Sequence, residues 1–183
     1  FAAETSLLMG DAGWTIDFAG LEKTLADPRV KVLLFCSPHN PVGRVWTADE
    51  IRRTAQIAHQ AGVLFVCDEI HGEFVFGGNR YLPAAQVEGV DPLRTVILTS
   101  PTKTFNLAGA GIAAIIAADP KVRAKIDRAV NDNECCDVNV FGVAADIAAW
   151  NQGEEWLEAL LSYLEGNLAA AQAFFAEKLP LCR

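Results

Sequence analysis

Three short polar segments, each directly behind an apolar run, carry the residues of this chain best suited to covalent and acid–base chemistry. The run VKVLLFC, ending at Cys36, is followed by Ser37-Pro38-His39-Asn40-Pro41-Val42-Gly43-Arg44. VLFVC, ending at Cys67, is followed by Asp68-Glu69-Ile70-His71, and TVILT, ending at Thr99, by Ser100-Pro101-Thr102-Lys103. An amide, a carboxylate and a primary amine therefore follow three successive apolar runs. An amine can condense with a carbonyl, a carboxylate can hold a proton on a ring nitrogen, and amide or hydroxyl groups can donate to oxyanions.

Taken singly, each segment has an ordinary explanation. Asn40-Pro41 with Gly43 reads as a turn, Asp68 as a cap for the segment after it, and Lys103 as a solvated lysine. Together they meet the needs of one cofactor. Pyridoxal 5′-phosphate requires a lysine for a Schiff base, an acid at the pyridine nitrogen, a polar group at the phenolate oxygen and donors for the phosphate.

The elements that must position these groups follow from pattern. Residues Val30 to Cys36 form a short β-rich run suited to a buried strand. Thr47 to Glu50 is a capping box, and Ile51, Thr54, Ala55, Ile57 and Ala58 recur at helical spacing until Gly62. Val63 to Cys67 is a second buried strand, so residues 30–67 predict a βαβ unit with parallel strands. Ligands of such sheets bind beyond the carboxyl ends of the strands, where the three segments lie.

Glycine and proline mark residues 69–93 as crossover loop, and Thr95 to Thr99 as a third strand follows. Gly111 to Ala117 is compatible with strand or helix; its length and the Asp119-Pro120 stop favour strand. Lys121 to Val130 and Phe141 to Trp150 predict helices. From Glu154 to about Lys178, Trp156, Leu157, Leu160, Leu161, Leu164, Leu168, Phe174 and Phe175 keep the 3.6-residue period. That helix is longer than so small a core can cover, so part of it is expected to pack on something else.

Composition narrows the partners. The chain has 183 residues, 51% of them hydrophobic and 21% charged, enough apolar material for a folded domain. A net charge of −8 offers no basic field for nucleic acid or anionic lipid. The longest stretch without a charged or strongly polar residue, Leu107 to Ala118, is too short to span a bilayer. Five cysteines, Cys36, Cys67, Cys135, Cys136 and Cys182, are odd in number and lack C-x-x-C spacing, which points to no disulfide framework or zinc knuckle and to a reducing cytoplasm. No metal site is expected. Residue 1 is Phe, and the opening lacks the pattern of a signal peptide, so the chain reads as an excerpt.

The stretches SPHNPVGRVWTADEI, CDEIHGEFVF, TSPTKTFNLAGAGIAAII, VNVFGVAADIAAW and GEEWLEALLSYLEGN closely resemble the aminotransferase class I/II superfamily of pyridoxal-phosphate enzymes, and within it the cystathionine β-lyase-type C–S lyases. The resemblance covers essentially the whole chain but only about the middle half of such an enzyme. It implies an α/β fold with a mostly parallel sheet sandwiched by helices, the large-domain core of the aspartate-aminotransferase-like fold. Residues 1–150 would be that cofactor-binding core, and residues 151–183 a long helix leading toward a smaller domain. The resemblance implies that Lys103 binds the cofactor and moves the Cα proton, that Asp68 pairs with the pyridine nitrogen, and that Asn40 bonds the phenolate oxygen. His71 would stand where many aminotransferases carry a tyrosine, and Ser100 and Thr102 would donate to the phosphate.

The implied reaction is β-elimination from a cysteine-type thioether, giving thiol, pyruvate and ammonia, in a homodimer acting on a small amino acid. Transamination is the alternative enzyme reading, and a non-catalytic folded module is the alternative of another class. One departure stands out: classical aminotransferases carry a phosphate-binding arginine eight residues past the lysine, and that position is Gly111. It favours the lyase branch.

Other signals are weaker. Gly109-Ala-Gly111-Ile-Ala-Ala114 matches a dinucleotide fingerprint without its strand-to-helix setting, and Ser100-x-x-Lys103 matches the S-x-x-K of penicillin-recognising enzymes without its companion motifs. Cys135 and Cys136 read as ordinary loop thiols, His59 as a solvated helix residue, and Asp132, Glu134 and Asp137 as a solvated acidic loop.

Overall fold

The computed structural model describes residues 2–11 and 13–179; Cys182 lies outside them. A hairpin of β1 (Leu7–Gly10) and β2 (Gly13–Ile16) opens the chain, followed by α1 (Phe18–Leu25). Asp17 caps α1 by accepting from the Gly20 amide at 2.9 Å. Sequence pattern assigned none of these three elements.

The predicted βαβ unit is present as β3 (Val32–Cys36), α2 (Ala48–Gln60) and β4 (Leu64–Asp68), with parallel strands in the register Cys36 to Asp68. Both ends of α2 have a local cause. At its start the Thr47 hydroxyl accepts from the Glu50 amide while Glu50 Oε2 accepts from the Thr47 amide at 2.8 Å. At its end Gly62 takes φ of +72°, and the Val63 amide reaches back to Ala58 O at 2.9 Å, the bond that a left-handed glycine permits. Ile51, Thr54, Ala55, Ile57 and Ala58 are the buried face of this helix, as the spacing predicts.

After the crossover loop, β5 (Thr95–Thr99) joins β4 in parallel, and β6 (Ala114–Ala117) adds an antiparallel edge, giving the order β3-β4-β5-β6. The chain then forms α3 (Pro101–Thr104) between β5 and β6, and α4 (Pro120–Asp132), α5 (Val140–Gln152) and α6 (Glu154–Lys178) after them. Strand alternation sends Leu33, Phe35, Phe65, Cys67 and Ile97 to one face, where they pack with Leu21, Leu25, Ile51 and Ala55 of α1 and α2. On the opposite face Val32 and Leu34 are exposed, Leu34 at 66%.

Two expectations need correction. Asp132 belongs to the last turn of α4 rather than to the acidic loop. His59 is not a solvated residue: it is half-buried, its Nε2 lies 3.2 Å from Arg94 O, and its ring meets Phe65 edge-on. Helix α6 runs over the expected residues, and none of its side chains is buried among the described residues. Trp156 near its start packs against Phe105, whereas Phe174 and Phe175 further along meet mainly each other.

Candidate active site

The carboxyl ends of β3, β4 and β5 lie side by side. Ser37 N donates to Asp68 O and Glu69 N to Leu98 O, both at 2.9 Å, which carries the ladder one residue past β3 and β4 and aligns the polar segments. Asn40 is exposed, Asp68 and His71 are half-buried, Lys103 is exposed and Ser100 is buried. Asn40 and Asp68 line one cavity of about 340 Å³, shared with Cys36 and His39. Asn40 and His71 line a second, of about 390 Å³, walled by Phe74, Phe76 and Leu168.

His71 feels both remaining groups. Partial burial and then the Lys103 cation push its imidazole below the ordinary value, and the Asp68 carboxylate opposes them. Burial pushes the Cys36 thiol above its ordinary value, the backbone N–H of Asn40 opposing this and the Asp68 charge adding to it.

The loop bearing Asn40 is braced. The peptide bonds before Pro38 and Pro41 are cis, and His39 N donates to Arg44 O at 2.7 Å. Arg44 Nη2 meets Glu50 Oε1 at 2.6 Å while its guanidinium lies 4.7 Å from the Trp46 ring centroid. Trp46, almost fully buried, donates from Nε1 to Cys36 O at 2.9 Å. Glu50 therefore caps α2 with one oxygen and holds Arg44 with the other.

The segment bearing Lys103 is braced differently. Ser100 caps the single turn of α3, accepting from Thr102 N at 3.1 Å, and donates its hydroxyl hydrogen to Ile112 O at 2.6 Å. Its oxygen also lies 2.7 Å from Thr102 Oγ1. With the Ser100 hydrogen so engaged, donating to a phosphate requires it to turn away from Ile112. Gly111, in the link to β6, has φ of +60° and ψ of +41°, a left-handed conformation that disfavours any side chain.

The competing motifs lose their context. Gly109 to Ala114 is a 3₁₀ turn at Ala108–Ala110 leading into a strand, the reverse of the strand-to-helix setting of a dinucleotide site. Ser100 bonds Ile112 rather than Lys103, unlike an activated serine. Cys135 and Cys136 are exposed and unpaired, and among the described residues no three His, Cys, Asp or Glu side chains gather as a metal site.

One group escaped the sequence reading. Glu69, read as loop, is 2% exposed; its Oε1 accepts from Ala84 N at 2.7 Å and its Oε2 from the Tyr81 hydroxyl. Its location directly after a buried strand was the available signal, masked by the stronger claim of Asp68.

The chain has relatives among known families, curated proteins and solved structures. The signature described as aminotransferase class I and II matches residues 5–169. Cystathionine beta-lyase PatB of Bacillus subtilis (strain 168) is 37% identical over 174 residues, covering 95% of this chain and 45% of that protein. Protein MalY of Escherichia coli (strain K12) is 36% identical, covering 91% of this chain and 41% of that protein. The structure of cystalysin from Treponema denticola, which contains a pyridoxal 5′-phosphate cofactor, superposes with a TM-score of 0.92 at 32% identity, covering 97% of this chain and 45% of that one. The chain spans less than half the length of these relatives.

Proposed function

The chain belongs to the aminotransferase class I and II family, and from that premise we propose that it forms the cofactor-binding core of a pyridoxal-phosphate-dependent C–S β-lyase. The observation that carries the reading is the convergence of Asn40, Asp68 and Lys103 at the ends of three adjacent strands, with His71 under the charge of both Asp68 and Lys103. The residues present fit the cofactor: Lys103 offers an exposed amine, the half-buried Asp68 has a carboxylate oxygen beyond the one that accepts from Ile70 N at 3.2 Å, and Asn40 offers an exposed amide.

When bound, the cofactor supplies the aldehyde that takes up an amine and the ring that accepts the electron pair left at Cα. Lys103 Nζ would hold it covalently and, when free, would take the proton from Cα. Asp68 would keep the proton on the pyridine nitrogen. The Asn40 amide would donate to the phenolate oxygen with His71 beside it, and Ser100 and Thr102 would serve the phosphate once their hydroxyls turn from Ile112 O and from each other. With Lys103 taking the Cα proton and returning a proton to the departing sulfur, loss of the Cβ–S bond and hydrolysis would give a thiol, pyruvate and ammonia. The substrate class is a cysteine-type thioether.

Residues 1–150 form the cofactor-binding core in this reading, residues 151–183 lead toward a second domain, and the working assembly is a homodimer. Transamination is the second reading, supported by the family signature; Gly111 in place of an arginine favours the lyase. The test is pyruvate release from cystathionine by the intact enzyme with and without added 2-oxoglutarate. Elimination proceeds without the acceptor. Strict dependence on the acceptor selects transamination, and absence of turnover under both conditions selects the non-catalytic module.

A further inference from the structure

The buried carboxyl of Glu69 has no part in the chemistry above, yet it adjoins Asp68 and lies on the other side of the sheet. We propose that Glu69, clamped by Tyr81, is a positioning residue that fixes Asp68 and His71 at the cofactor ring. The proposal rests on the reading of the site as a pyridoxal-phosphate site.

Four hydrogen bonds converge on this one residue. Its amide donates to Leu98 O and its carbonyl accepts from Gly72 N, both at 2.9 Å. Its Oε1 accepts from Ala84 N at 2.7 Å and its Oε2 from the Tyr81 hydroxyl. Glu69 thus joins the last rung of the sheet, the turn that holds His71, and a segment of chain 12 to 15 residues further on.

The geometry transmits to the site through two short links. Asp68 Oδ1 accepts from Ile70 N at 3.2 Å, inside the turn that Glu69 O closes on Gly72 N. His71 lies in the same turn, and its carbonyl accepts from Phe74 N at 2.9 Å. Underneath, the Tyr81 ring is the floor: a Cβ added at Gly72 would stand 3.0 Å from Cε1 and Cζ of that ring. A carboxyl is a costly tie in such a place, because burial opposes its charge and no cation pairs with it among the described residues. Apolar packing could hold the loop down, but it would not fix the heading of the turn, which two directed bonds do.

The experiment uses the intact enzyme with Tyr81→Phe, Glu69→Gln and Glu69→Leu. Tyr81→Phe is expected to fold, to lower kcat about tenfold with KM nearly unchanged, and to weaken pyridoxal-phosphate binding, read from cofactor fluorescence. In the cofactor-free protein it should also shift the His71 ring resonances in NMR spectra. Glu69→Gln, which can still accept from Ala84 N and donate to the Tyr81 oxygen, should lose less than Glu69→Leu. Variants that lower only the thermal midpoint, with kcat, cofactor affinity and His71 resonances all unmoved, overturn the proposal. A wild-type enzyme that binds no pyridoxal phosphate sinks the functional reading instead, and the His71 resonances of the variants then decide the positioning role by themselves.

Discussion

Ser100 donates its hydroxyl hydrogen to the carbonyl of Ile112 at 2.6 Å, so the turn that carries Lys103 is tied to the approach to β6 before any ligand arrives. The same oxygen caps α3. Ser100→Ala removes both bonds and leaves a carbonyl without its donor. The expected loss of stability is about 1–2 kcal/mol, read as a lower urea midpoint. Ser100→Thr, which keeps the hydroxyl, should recover part of it.

Lys103 and Asp68 should separate activity from stability. Lys103 is exposed and in no ion pair among the described residues, and the hydrogen bond that the Asp68 side chain accepts from Ile70 N is long at 3.2 Å. Lys103→Ala should change the unfolding free energy by less than about 0.5 kcal/mol, and Asp68→Ala by no more than about 1 kcal/mol. Turnover by the intact enzyme should fall by about 10²-fold or more in each. Borohydride reduction of the wild type, followed by peptide mapping, should find the pyridoxyl group on Lys103; a label on Lys121 or Lys125 would remove that assignment.

The three histidines give a pH dependence with a definite sign. Burial is the leading cause that lowers His39, His59 and His71 from their ordinary value of 6.5. Below that pH the unfolded chain binds protons that the folded protein resists, so their contribution is complete above 6.5 and is lost progressively as the pH falls toward and through the folded values. Urea midpoints measured downward from about pH 7.5 should decline below about pH 6.5, and NMR titration should give all three rings midpoints under that value. Midpoints above it for all three would reverse the sign.

Gly111→Arg restores the side chain found in classical aminotransferases but places it on a left-handed backbone. The expected cost is about 1–2 kcal/mol in unfolding free energy. No tighter binding of pyridoxal phosphate should accompany it; a clear gain in affinity would show that the backbone readjusts.

What could be read from the chain depended on the range of the signals. The capping box at Thr47, the stripe from Ile51 to Ala58 and the glycine stop at Gly62 are local, and they delimit α2 closely. Asn40, Asp68 and Lys103 stood out because each follows an apolar run. The β1–β2 hairpin gave no such sign, since its strands have four residues each and none of these is fully buried. His59 and Glu69 escaped for another reason. Their partners, Arg94 O for one and Tyr81 with Ala84 N for the other, are 35, 12 and 15 residues away, within or directly after a stretch whose glycines and prolines read only as loop.

The double duty of Glu50 bears on how this surface can change over generations. A residue at the start of an amphipathic helix ordinarily drifts among Glu, Gln and Asp at little cost. Here Gln could still cap α2 but would surrender the charge that holds Arg44, and with it the stack on Trp46 and the loop end opposite His39. A change at position 44 or 50 alone is therefore expected to loosen the Asn40 loop, and a charge-preserving change at both to hold it.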